Sequence, residues 1–532
     1  MHTAEIVLGL VVLASAVTTF AERLGVPAPS LLVLAGLGVG LIPGVPAVHV
    51  TPEIVSLVVL PPLLYSAAVD VVVTDLLTVI RPVAMLAVGL VVASAVAVAY
   101  VAHWVTPEID VQVGLVLGAV LASTDPVAVS ALARRLNLPA RMLAVVQGES
   151  LLNDATSLLL FQVVVTGVAA DHFGGAGSIT LRFIELGVGG AALGITCAVG
   201  VRMLHERIND PVLEAVIAIL SPYAIYVVAQ VAHTSGVTAV VFGGLYLGRR
   251  RYQILQGPSR LRITQIYDVV VFLLESAVFA IIGLELPGLV RDLPRGEHDF
   301  ALVAAALTAT LLVARLLWVT GATFLPGLLD ASGTQSHRRS RVVAVVSWAG
   351  TRGVVPLAAA LSIPLTTKSG AAFPHRVLLL VLTSTCTAIT LVVQGLSLRP
   401  VVQRAGVVAD PQVRTHQEAL ARHAALAAAM GRLQELQDME AASSAAVEWL
   451  TREFRDRLER AESVLRGLEQ TEADHEQRTT VATREEMRSL RRELIAVETS
   501  RLHELVEAGQ ISESVRRKVQ RMLDLDESRA TD

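Results

Sequence analysis

Only two cysteines occur in 532 residues, and both, Cys197 and Cys386, sit inside apolar stretches with no partner at a metal-ligand spacing. That excludes a disulfide framework and a zinc site, and both thiols read as packing residues. Charge is the second scarcity: charged side chains make up 17% of the chain, 53% of its residues are apolar, and mean hydropathy is +0.60. A soluble protein of this length could not hide that balance from water. Residues 401–532 hold 20 basic and 25 acidic side chains, which leaves 23 and 22 for the first 400 positions. The break near Pro400 therefore divides the chain into a membrane part, 1–400, and a polar tail, 401–532. Neither part has a large net charge, so nucleic acid is not an expected partner. No catalytic or nucleotide-binding motif appears, and the chain reads as a non-enzyme without a cofactor.

Apolar runs of roughly 20 residues are what a spanning helix needs. Thirteen such runs, bounded by Gly, Pro or charge, fall between residues 3 and 398, with the ninth, 235–248, the shortest. The first begins at Thr3 without a basic lead-in or cleavage site, so it reads as a retained helix. An odd number of spans places the termini on opposite sides. With the N-terminus outside, sixteen arginines lie at inner ends and five basic residues at outer ends. Basic residues favour the cytoplasmic side, which puts the tail in the cytoplasm. Lipid is then its surroundings.

Charge at bilayer depth costs a few kcal/mol and marks a pathway or a buried pair. Arg315, Arg352, Asp125, Glu149, Asp154 and Glu275 lie deep in spans, with Asp70 and Glu285 nearer the ends. Glu275 and Arg315 read as structural, paired with each other or with backbone. Two spans are also interrupted. The fifth contains Ala122-Ser123-Thr124-Asp125-Pro126 and the twelfth Gly350-Thr351-Arg352-Gly353-Val354-Val355-Pro356. Proline removes a backbone donor and obstructs the preceding turn. If the seventh span links two six-span halves, these are the fifth members of each, and matching broken helices point to the binding site of an inverted-repeat transporter. Asp125 and Thr124 also suit capping of the second half-helix.

The densest polar cluster in the apolar region is Gln147-Gly148-Glu149-Ser150-Leu151-Leu152-Asn153-Asp154 in the sixth span. At about 100° per residue, Ser150 and Asp154 share a face, Glu149 and Asn153 share another, and the two acids stand about 140° apart. One acid can line a cavity while the other holds a permanent ion pair, for which Arg352 is the obvious partner. Internal pairing of both acids for assembly is the bland alternative. Carboxylate, hydroxyl and carbonyl oxygens suit a hard monovalent cation. A carboxylate that holds a cation when ionised and loses it when protonated would couple the two ions. A passive cation channel would use the same acids without that competition, and a membrane signalling protein would use the tail as its output.

At these residues the chain resembles the monovalent cation/proton antiporters, in the sodium/proton exchanger branch that includes the bacterial NhaP-like proteins. The matching pieces are Thr124-Asp125-Pro126, Gly148-Glu149-Ser150 with Asn153-Asp154, Arg352-Gly353, and Val393-Gln394-Gly395-Leu396. The resemblance implies an all-α homodimer of 13-helix membrane domains built from inverted repeats and working by an elevator-like alternation. It implies that Asp154 is the ion and proton carboxylate, with Asp125, Ser150 and Thr124 as further monovalent-cation ligands. Asn153 matches the position where asparagine marks electroneutral exchange, and Glu149 with Arg352 matches a core ion pair. Ser66 departs from the family, many of whose members have an acid there. The tail, rich in Ala, Glu, Arg and Leu and free of proline from Val413 onward, favours helix. Leu420, Ala424, Leu426, Met430 and Leu433, then Leu490, Leu494, Val497 and Leu502, mark approximate stripes of a regulatory or dimer-contact module.

Overall fold

Apolar segments in lipid must satisfy their backbone internally, which for a single run means helix. The computed structural model describes residues 2–24, 28–42, 51–125, 140–170, 175–208, 210–255, 257–293, 299–322, 336–406, 411–439 and 444–470. Among these there is no β-strand, only an isolated bridge between Thr366 and Ala372. The helices of eight or more residues are α1 (His2–Leu24), α2 (Ala28–Gly40), α3 (Pro52–Asp70), α4 (Ile80–Val105), α5 (Val111–Ala122), α6 (Ala140–Ala169) and α7 (Ala176–His205). There follow α8 (Pro211–Val231), α9 (Gly236–Ile254), α10 (Gly257–Arg291), α11 (Phe300–Ala322), α12 (Ser336–Trp348), α13 (Val354–Leu361) and α14 (Arg376–Ala405). Eight helices among the described residues are long and apolar enough to cross a membrane. Large apolar side chains such as Trp104, Leu181, Val231 and Leu302 stand exposed on these helices, as a lipid-facing surface requires.

Small residues set the closest helix approaches, as expected where lipid supplies no hydrophobic drive for association. A methyl group on Gly36 or Gly283 would collide with the backbone of the facing helix, so α2 and α10 touch main chain to main chain. Gly114 and Gly118 bring α5 against Ala99 and Ala95 of α4 in the same way. That contact fixes α5 up to its end, where the chain leaves the helix. α4 itself opens into a π-turn at Met85–Leu90, and the Trp318 indole of α11 donates to the Met85 carbonyl at 3.2 Å.

Two compact units divide the chain, Met1–Val408 and Ala409–Asp532. Pro400 lies inside α14, so the composition change starts before that helix ends. In the second unit α15 (Pro411–Asp438) and α16 (Ser444–Gln470) pack as an antiparallel hairpin, with His423 Nε2 3.4 Å from Glu462 Oε1. The inward stripe of α15 is Ala419, His423, Leu426, Met430 and Leu433, whereas Leu420 and Ala424 face outward. Pro126 and the stripe from Leu490 to Leu502 lie outside the described residues.

Candidate ion site at the helix crossing

The fifth span leaves its helix, and the twelfth breaks, where their polar residues fall. α5 ends at Ala122, and Ser123 is extended with ψ 142°. α12 ends at Trp348, and the helix resumes at Val354. The two interruptions meet. Asp125 donates its N–H to the Thr351 carbonyl at 2.7 Å, and the Thr351 hydroxyl donates to the Asp125 carbonyl at 2.9 Å. A broken helix exposes unpaired carbonyls at one end and unpaired N–H groups at the other. The second interruption also supplies partners for the end of α5. Arg352 donates from Nη1 to the carbonyls of Ala122 at 2.9 Å and Ser123 at 2.6 Å, the carbonyl end of α5. The Asp125 carboxylate packs onto Gly353 at the N-terminus of α13, where any Cβ would overlap it. Only glycine permits that approach.

α6 lays its polar cluster against this crossing. Ser150 Oγ donates to the Thr124 carbonyl at 2.7 Å, and Asn153 Nδ2 donates to Thr124 Oγ1 at 3.1 Å. Ser123 Oγ donates to the Asp154 carboxylate, a partner the sequence reading did not name although the hydroxyl adjoins Thr124. Asp154, Asp125, Ser150 and Thr124 line one cavity of about 190 Å³ together with Ser123, Gln147 and Glu275. One water needs about 10–15 Å³ by that measure, so the space admits a partly hydrated cation with several waters. Asn153 is 1% exposed and holds Thr124 from behind without lining the cavity.

The expected Glu149–Arg352 pair is not what forms. Glu149 makes a bidentate ion pair with Arg315 of α11, at 2.5 Å and 3.0 Å, with both side chains almost fully buried. Arg315 also donates to the Val346 carbonyl near the end of α12, at 3.2 Å from Nε and 3.1 Å from Nη2. Arg352 instead directs Nη1 to the α5 carbonyls, and Glu149 is taken by Arg315. The alternative pairing of Arg315 with Glu275 fails for the same kind of reason: Arg315 is committed to Glu149, and half-buried Glu275 lines the cavity. Gln394, in the Val393–Leu396 motif of α14, donates to the Trp348 carbonyl at 3.2 Å and closes the end of α12. Cys386 is buried, with its thiol 3.4 Å from the Ala304 carbonyl, as a packing residue.

The family described as "Sodium/hydrogen exchanger, transmembrane" matches residues 10–404, most of the chain. The chain belongs to the sodium/hydrogen exchanger family. An uncharacterised Na⁺/H⁺ exchanger of Mycobacterium tuberculosis is 34% identical over 99% of this chain and 97% of its own length. The Na⁺/H⁺ antiporter ApNhaP of Aphanothece halophytica is 29% identical over 75% of this chain and 74% of its own. Among solved structures, the sodium proton antiporter MjNhaP1 of Methanocaldococcus jannaschii superposes with a TM-score of 0.61 over 76% of this chain and 99% of its own, at 20% identity. That likeness shows the exchanger fold: an all-α, multi-pass membrane protein.

Proposed function

We propose that this exchanger trades Na⁺, with Li⁺ or K⁺ as alternatives, for H⁺ in electroneutral antiport, and that Asp154 is the carboxylate for which cation and proton compete. The observation that carries the reading is the cavity itself, in which Asp154 and Asp125 face open space beside the hydroxyl and carbonyl oxygens of the crossing. Ionised Asp154 attracts the cation, with Asp125, Ser150 and Thr124 as further oxygen ligands. Protonation removes the charge and expels it. Asn153 contributes a neutral amide that positions Thr124, so the Asn153-Asp154 pair brings a single titrating acid. A homodimer in the inner membrane, with the N-terminus outside and elevator-type movement of the crossing, fits the family and the arginine distribution.

The test is exchange in sealed proteoliposomes. An imposed pH gradient drives uptake of radiolabelled Na⁺, and a potassium diffusion potential set with valinomycin leaves the rate unchanged. A strong response to voltage at fixed ion gradients rejects electroneutrality. Cation flux that ignores the pH gradient would support the passive channel instead.

The tail, 401–532, regulates and carries no ion in this reading, supported by its charged helical hairpin. Truncation at Val407 retains cation specificity and alters rate or pH dependence. Complete loss of exchange by a truncated protein that still inserts and folds would overturn it.

A further inference from the structure

Glu275 stands on α10, outside both broken spans and outside α6, yet its side chain lines the same cavity as Asp125 and Asp154. None of the lining side chains is a lysine or arginine. The two arginines buried beside the crossing are both committed: Arg315 to Glu149 and Val346, Arg352 to the carbonyls of Ala122 and Ser123. Among the described residues Glu275 takes part in no ion pair. It is close enough to the crossing for its charge and that of Asp125 to interact. An acid at this depth without a protein counter-charge is costly, and a mobile cation entering the cavity relieves that cost.

We infer that Glu275 is an affinity-determining residue of the exchange site, a further carboxylate that draws the cation into the cavity and toward Asp154. This rests on the antiport reading above. Because α10 does not belong to the crossing, Glu275 acts on cation entry and leaves the competition at Asp154 in place. Its contribution is electrostatic: it raises local cation concentration and holds the ion against water. A carboxylate that served packing alone would affect folding and turnover and leave the apparent cation affinity untouched.

The experiment measures Na⁺ concentration dependence of pH-gradient-driven exchange in proteoliposomes for wild type, Glu275→Gln and Glu275→Asp, with thermal melting of each in detergent. Glu275→Gln is expected to raise KM for Na⁺ roughly tenfold, equivalent to about 1.4 kcal/mol, while most of the turnover at saturating Na⁺ remains. Glu275→Asp, which restores the charge, recovers most of the affinity. An unchanged KM for Glu275→Gln overturns the inference, and so does a loss confined to kcat. Wild-type behaviour separates the two proposals: absence of proton-coupled uptake there sinks the antiport reading, whereas normal wild-type exchange with an indifferent Glu275→Gln sinks this one alone.

Discussion

Replacing Asp154 with asparagine reduces proton-driven Na⁺ uptake on the order of 10²-fold or more, the scale of losing an essential proton-transfer group. The substitution keeps the approximate shape. Its amide oxygen can still accept the hydrogen bond that the Ser123 hydroxyl gives to the carboxylate, so α6 remains docked on the crossing. What disappears is the ability to alternate between a charged form that holds a cation and a neutral form that releases it. The comparison uses matched protein density in proteoliposomes under one imposed pH gradient. Substantial gradient-driven uptake by Asp154→Asn would remove Asp154 from its assigned role.

Breaking the Glu149–Arg315 pair has the largest expected effect on stability. Removing one partner from a buried, hydrogen-bonded ion pair leaves an uncompensated charge and costs about 3–5 kcal/mol. Arg315→Met removes the contacts to Val346 as well, so it also leaves carbonyls near the end of α12 unsatisfied. Glu149→Gln leaves the guanidinium with Val346 as a neutral partner. The double variant Glu149→Gln/Arg315→Met loses less than the sum of the singles, because no lone buried charge remains. Unfolding of the purified protein in detergent measures all three. Wild-type melting by Glu149→Gln would show that the pair is not a stability element.

The interruptions in the membrane helices were legible because glycine, proline and charged residues stand out in apolar runs, and physics allows few explanations for them there. The angular separation of Glu149 and Asp154 on α6 was legible too, and it does place one acid in an ion pair and the other in the cavity. The partner of Glu149 was not. Arg315 and Arg352 lie at similar depth, and choosing between them requires knowing where the end of α5 points, a tertiary fact with no local signature. Glu275 was misread for a related reason: depth in a helix says that a charge is costly, but not whether an arginine or a cavity faces it. In the tail, alanine on both sides of α15 left the phase of the apolar stripe ambiguous, and Leu420 fell on the wrong side of it.

Arg352 on the end of α5 has a consequence for leakage. Bare carbonyls at the end of a helix form a cation trap, and one at the crossing would hold Na⁺ whatever the protonation of nearby acids. Such a resting place would let the ion ride without a proton going the other way. A guanidinium stays charged at physiological pH, and here it fills that trap permanently through its contacts to Ala122 and Ser123. On the antiport proposed above, the travelling ion is left with a seat built around carboxylates, so every departure from it can be set by a proton. On that proposal, coupling depends on an arginine that does not itself line the cavity.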